Sequence, residues 1–255
     1  MGTVRRPAFL LVALTVSGLA VSPAGTSAGR PDGTGNLPRL MLWAWERPTD
    51  LRDLDARAGV AFLSQTLMVR NGAVVTEPRR SPLRVSAHTP LLAVTRVESD
   101  ELGASRLAES EVESMAAAIA RTMSLPRVRG VQIDFDAVES ERPFYRALVR
   151  AVRHTIGPEV PLSITALASW CADDRWLDGL PIDEAVPMLF RMGPMNEPYA
   201  GIARSPVRAA PECRGALGTS LDEPLHVRAN GRRVYVFNTA AWTPASVAGA
   251  REAVE

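Results

Sequence analysis

The chain has 255 residues, 46% hydrophobic and 22% charged, enough apolar material for the core of one larger domain or two small ones. Lys and Arg number 29 against 28 Asp and Glu, a formal net charge of +1. With no basic stripe, no glycine-rich phosphate loop and no dinucleotide fingerprint, nothing marks nucleic acid or a nucleotide as the partner.

Residues 1–28 read as a secretory signal peptide. Arg5 and Arg6 precede an apolar run from Ala8 to about Val21, and small residues offer cleavage after Ala24 or Ala28. The run is short for a membrane span, although an uncleaved anchor is the alternative. The expectation is a secreted or periplasmic chain with no stable membrane span after cleavage. Gly29–Pro38 reads as a flexible lead-in, and residues 39–255 as one domain.

Leu40–Trp45 is predicted as a first strand. Thr49 then has the character of a helix cap, and a short helix is expected through about Ala58. A second strand, Gly59–Thr66, continues to Arg70; Asn71-Gly72 and a further β-prone run, Ala73–Thr76, make a hairpin extension. Pro90–Val97 is a third strand. Ser110 with Glu113 matches a capping box, and Val112, Met115, Ala116, Ile119 and Met123 recur at helical spacing.

Arg129–Asp136 is the fourth strand. Val131, Ile133 and Phe135 alternate with Gln132, Asp134 and Asp136, so one face is apolar and the other carries an amide and two carboxylates. Phe144, Leu148, Val152 and Ile156 form the stripe of the next helix, ended by Gly157-Pro158. Leu162–Leu167 is the fifth strand, and a short helical segment is expected over Asp174–Leu180. Ala185–Met192 is the sixth, followed by a Pro-rich connection over 193–211. Gly215–Ser220 and Arg233–Thr239 are the seventh and eighth, and Thr243-Pro244 opens a last helix. Eight strands alternating with helices or long connections predict an α/β fold, a compact (β/α)8 TIM-type barrel with the hairpin extension and some shortened helices. An open doubly wound sheet is the alternative.

Ligands of such barrels sit at the C-terminal strand ends. Those ends gather Trp45, Glu46, Arg96, Gln132, Asp134, Asp136, Trp170, Phe190, Arg191 and Trp242. Carboxylates can do acid–base work, amides and Arg can hydrogen-bond hydroxyls, and aromatic faces can stack on sugar rings. The pattern points to a glycan. The competing structural reading is an acid pair tied to Arg96 or Arg191 across the barrel, with Trp43 as core packing. His88, His154 and His226 are scattered, and CxxC and HExxH patterns are absent, so neither a metal nor another cofactor is expected. Cys171 and Cys213 are expected at opposite strand ends, against a bridge; export permits one and the long connection relaxes the objection, so the pairing stays open.

Gly130-Val-Gln-Ile-Asp-Phe-Asp136 resembles the fourth-strand motif D-G-x-D-x-D-x-E of glycoside hydrolase family 18. Gly130 and Asp134 match, Phe135 takes the aromatic slot, and Asp136 falls at the catalytic glutamate, while Arg129 and Gln132 stand where the motif has aspartates. Met188-Leu-Phe190 is similar to the Met-x-Tyr of those enzymes, and Trp242 to their last-strand tryptophan. A closer resemblance, over nearly all of the mature chain, is to the bacterial domain of unknown function numbered 3142. It is carried by Gln132–Asp136, Leu162–Leu167 with Ser169-Trp170, and Pro187–Arg191. The resemblance implies a glycoside-hydrolase-like barrel with Asp136 as general acid and Asp134 as its partner. The alternative is a non-catalytic saccharide- or envelope-binding barrel, since an aspartate reaches about 1.5 Å less far than a glutamate. Asn196-Glu197-Pro198 matches a tripeptide of other glycosidases but follows the sixth strand, not the fourth.

Overall fold

The apolar runs form strands that lie side by side and close on themselves. The computed structural model describes residues 1–2, 34–70, 73–99, 109–172, 174–192, 196–224 and 229–252. In chain order the strands are β1 (Leu40–Ala44), β2 (Thr49–Leu51), β3 (Ala58–Arg70), β4 (Ala73–Pro78), β5 (Leu83–Val85), β6 (Leu91–Ser99), β7 (Val128–Asp134), β8 (Leu162–Leu167), β9 (Glu184–Met188), β10 (Ala216–Ser220) and β11 (Arg233–Phe237). The helices are α1 (Glu109–Arg121), α2 (Arg142–Ile156), α3 (Ala168–Ala172), α4 (Asn196–Arg204) and α5 (Pro244–Glu252).

Eight of these strands, β1, β3 and β6 through β11, form a ring of parallel neighbours. It closes because β1 pairs with β11 on one side and with β3 on the other. The fold is the TIM-type barrel. β4 lies outside the ring, antiparallel to β3, as the hairpin extension predicts. The expected Asn71-Gly72 turn, residues 3–28 of the expected signal segment and residues 29–33 of the lead-in fall outside the described residues.

Side-chain alternation sorts the barrel into two environments. Val131, Ile133 and Phe135 face outward, where they pack with Met115 and Ile119 of α1 and Phe144, Leu148 and Val152 of α2. Inside, Met41, Trp43, Ala61, Leu92, Val94, Val186 and Tyr235 fill the bore. A polar spine runs through this apolar filling. Trp43 Nε1 donates to Gln132 Oε1 at 2.8 Å, and Gln132 Nε2 to Ser163 Oγ at 3.0 Å. Ser163 hydrogen-bonds the Tyr235 hydroxyl, which donates to Glu184 Oε1 at 2.6 Å; Glu184 also pairs with Arg233. Each buried polar group on this path has a partner, so burial costs little here.

Two glycines let backbones close up. A Cβ on Gly130 would stand 2.7 Å from both Pro161 Cβ and Pro161 O, and one on Gly218 would stand 3.1 Å from Pro187 O and from the Trp43 ring. The motif glycine of the fourth strand is therefore required by the approach of the chain entering β8.

Several expected elements differ. The helix expected after Thr49 is absent: the Thr49 hydroxyl donates back to Arg47 O instead of capping, and Thr49–Leu51 pairs with β5. Ser110 lies inside α1, not at its cap, and its carbonyl accepts from Ser114 Oγ. Turns rather than a helix occupy 174–180, and helical structure comes earlier, in α3. The connection expected to be irregular contains α4. The fourth strand ends at Asp134, the sixth at Met188 and the eighth at Phe237, each two or more residues short of its predicted end.

Cys171 and Cys213 are bridged, with Cα atoms 5.8 Å apart. The strand-end objection fails because Cys171 lies in α3 and Cys213 in a helical turn on the returning connection. Ala210 N–H donates to Cys171 O at 2.8 Å, holding that connection alongside α3.

Candidate functional site

The site follows from where β7 stops. Because Gln132 and Asp134 face the bore, the strand carries its polar row toward the C-terminal rim. Asp134 is the last strand residue and is buried at 8% exposure, while Asp136, two residues on, is exposed. Phe135 between them turns outward onto Phe144 and Tyr145, in edge contacts at 6.0 and 5.2 Å. That anchor fixes both neighbouring carboxylates toward the opposite side.

There they line a cavity of about 240 Å³ with Trp43, Trp45, Arg96, Thr165, Met188, Phe190, Arg191 and Phe237. Aromatic rings make one wall: Phe190 and Phe237 stack at 5.5 Å with planes 10° apart, and Trp45 meets Phe237 edge-on at 6.1 Å. The Arg191 guanidinium lies 5.4 Å above the Phe237 ring. Arg96 pairs with Glu98 at 3.0 Å in an exposed ion pair. Trp45 is set by Arg79, whose guanidinium donates to the carbonyls of Ala44 at 3.1 Å, Trp45 at 2.6 Å and Arg47 at 2.7 Å.

The two carboxyls are electrostatically distinct. Burial pushes Asp134 up to about 6 from an ordinary 3.8; the Thr165 hydroxyl, donating to Asp134 Oδ1 at 2.7 Å, opposes the rise, and the Asp136 charge adds to it. Partial burial also raises Asp136, against the pull of Arg96. Among the described residues neither carboxylate is in salt-bridge contact with an arginine, and Asp136 makes no hydrogen bond. No direct ion pair to Arg96 or Arg191 therefore ties the pair among the described residues, although the Arg96 charge draws both carboxyls down. A raised, unshared carboxyl facing an open cavity can deliver a proton to a ligand oxygen.

Of the candidate residues, Trp45, Arg96, Asp134, Asp136, Phe190 and Arg191 come together here. Four others do not. Gln132 is fully buried beneath the cavity, its amide engaged by Trp43 and Ser163. Glu46 is exposed and accepts the backbone N–H of Ser81 at 2.6 Å; burial would raise its carboxyl, but hydrogen bonds from Ser81 and Arg80 outweigh that and hold it below the usual range. Trp170, on α3, packs outside the barrel against Trp176 at 4.8 Å and Tyr145 at 6.4 Å. Trp242 packs on the outer face with Leu42, Val60 and Val236, and its Nε1 donates to Trp43 O at 2.9 Å. Both tryptophans were placed at the rim because each follows a strand in sequence; each follows after the chain has already turned outward.

Met188, which enters the sequence reading only through the Met188-Leu-Phe190 resemblance, also lines the cavity, as do Thr165 and Phe237, which are not among the candidates. Strand parity would have found them: Thr165 follows Ser163 on the polar face of β8, and Phe237 follows Arg233 and Tyr235 on the inner face of β11. Trp43 packs in the core as expected, and it also lines the cavity. Among the described residues no group of three or more His, Cys, Asp or Glu is arranged to hold a metal ion, and no helix is long and apolar enough to cross a membrane.

A search of curated proteins returns no match. Among solved structures, the chitinase domain of the spore coat protein CotE from Clostridium difficile is similar at 14% identity and a TM-score of 0.39, over 66% of this chain. The chain spans about half the length of that structure, 53% of it. The family model described as Domain of unknown function (DUF3142) matches residues 87–202, the stretch that carries both site aspartates. Over that stretch, from the approach to β6 into α4, this chain is similar to the DUF3142 family.

Proposed function

We propose that the rim cavity is a glycan site, and that Asp136 is the general acid of a glycoside hydrolase with Asp134 as its electrostatic partner. The observation that carries this reading is the placement of Asp136. It stands in an open, aromatic-walled cavity, without hydrogen bond or ion pair among the described residues, above a buried second carboxyl. Protonating a glycosidic oxygen needs a carboxyl that keeps its proton near working pH, and both carboxyls are raised by burial. The Asp134 charge, when present, would stabilise positive charge developing on the sugar ring. Trp45, Phe190 and Phe237 offer the flat apolar faces on which a ring stacks. The signal-like residues 1–28 fit an exported chain that meets polysaccharide outside the cytoplasm.

A second reading, a non-catalytic saccharide-binding barrel, is favoured by Gln132. Where the related hydrolase motif has an acid able to share a proton, this side chain is a neutral link in the core spine. The two readings separate on one experiment. The purified chain and its Asp136→Asn variant are presented with bacterial envelope and plant polysaccharide fragments, and binding and released reducing ends are measured in parallel. The enzyme reading expects turnover by the wild type, and unchanged binding with turnover lost in the variant. Binding by both without turnover by either supports the second reading. Binding by neither overturns both.

A further inference from the structure

Arg191 has features that the general-acid reading does not use. Its backbone is in the left-handed region, with φ 55°. For a residue with a Cβ that costs on the order of 1 kcal/mol, and such strain persists only where surrounding groups hold it. Here the Arg191 N–H donates to Glu223 Oε2 at 2.7 Å, and the guanidinium rests over the Phe237 ring. The held backbone aims an exposed guanidinium into the cavity beside the aromatic wall. The other cavity arginine, Arg96, is occupied by Glu98 at 3.0 Å. Among the described residues no carboxylate is in salt-bridge contact with Arg191.

We propose that Arg191 sets the specificity of the cavity by receiving a carboxylate carried on the bound sugar, so that the ligand is an acidic glycan containing a uronic acid or another carboxylated sugar. The inference rests on the glycan reading and narrows it. A guanidinium presents paired N–H donors that match a carboxylate in two parallel hydrogen bonds. Phosphate shares that geometry, but a dianion would enter a cavity of about 240 Å³ already lined by Asp134 and Asp136. A single negative charge balances Arg191 with less repulsion. The volume falls below the ~300–1,000 Å³ of drug-sized pockets, which suits one ring with its substituent.

The test uses oligomers of galacturonate, glucuronate and mannuronate, each with its carboxyl-reduced neutral counterpart, titrated into the full chain by calorimetry at low and moderate salt. At least one acidic oligomer should bind about tenfold or more tightly than its reduced partner, with the preference shrinking as salt rises. Arg191→Asn keeps a residue that tolerates the left-handed backbone, and should bring the ratio close to one with an unchanged circular dichroism spectrum and melting temperature. Arg191→Lys should retain part of the preference. Equal binding of acidic and reduced oligomers, or a preference that survives in Arg191→Asn, overturns the inference and leaves the glycan reading standing. Binding of no oligomer of either kind overturns the inference, and failure on the wider fragment panel above would overturn the glycan reading with it.

Discussion

Replacing Asp134 by Asn should stabilise the protein at neutral pH, and the size of the gain can be worked from the site. In the unfolded chain this carboxyl titrates near 3.8; in the fold, burial raises it to about 6. Between those values the folded chain holds a proton that the unfolded chain has released. Stability therefore falls as pH rises through that window, and the loss is complete above about pH 7. The interval is 6 − 3.8 = 2.2. At 1.36 kcal/mol per pH unit this amounts to about 3 kcal/mol. Asn is close in size, carries no charge, and keeps an oxygen to accept from the Thr165 hydroxyl, which donates at 2.7 Å. Urea unfolding of oxidised wild type and Asp134→Asn between pH 4 and pH 8 should give similar midpoints at the acid end and a variant more stable by about 2–3 kcal/mol at the alkaline end. A gap that does not change with pH, or a variant less stable at pH 8, would refute the placement of an ionisable, buried acid at this position. A carboxyl kept at such cost is expected of a working site rather than of a scaffold.

Three other perturbations bear on the scaffold that presents this acid. Gln132→Glu puts a carboxyl between Trp43 and Ser163, and should lower stability at pH 8 by about 2–4 kcal/mol while costing less at pH 5, read from the same urea curves. Gly130→Ala drives a methyl into Pro161 and should cost about 1–3 kcal/mol; an unchanged melting temperature would mean that β7 and the start of β8 are farther apart than described. Cys171→Ser with Cys213→Ser opens a cross-link of sequence separation 42 and should cost up to about 4 kcal/mol. Mass spectrometry of the wild type under non-reducing conditions should find no free thiol.

The barrel was legible because its strands announce themselves in order: apolar runs, punctuated by Asn71-Gly72, Gly157-Pro158 and Thr243-Pro244, with helical stripes between them. The acid pair was legible for a related reason. Alternation along Val131–Asp136 fixes which face each side chain takes, whatever the rest of the fold does. What failed depended on distance in space rather than on local pattern. Trp170 and Trp242 each follow a strand, but whether a residue after a strand stays at the rim or turns outward depends on the loop, and periodicity says nothing there. Thr49 has the chemistry of a cap, yet β5, more than thirty residues on, offered its backbone a better partner. The Cys171–Cys213 bridge needed the path of a long connection, which composition alone does not supply. Gln132 was placed among ligand-binding groups because its face was read correctly and its depth was not: it lies one layer below Asp134, where side chains of the barrel fill the bore.

The central claim is that a glycan sits against Asp136, and a crystal structure of the Asp136→Asn variant with a bound oligosaccharide tests it most directly. A sugar ring should lie on the wall made by Trp45, Phe190 and Phe237, with a glycosidic oxygen about 3 Å from the amide that replaces the Asp136 carboxyl. Density for the sugar elsewhere, such as in the groove between α1 and α2 lined by Val112, Phe144 and His154, with the rim cavity filled only by water, would contradict the claim.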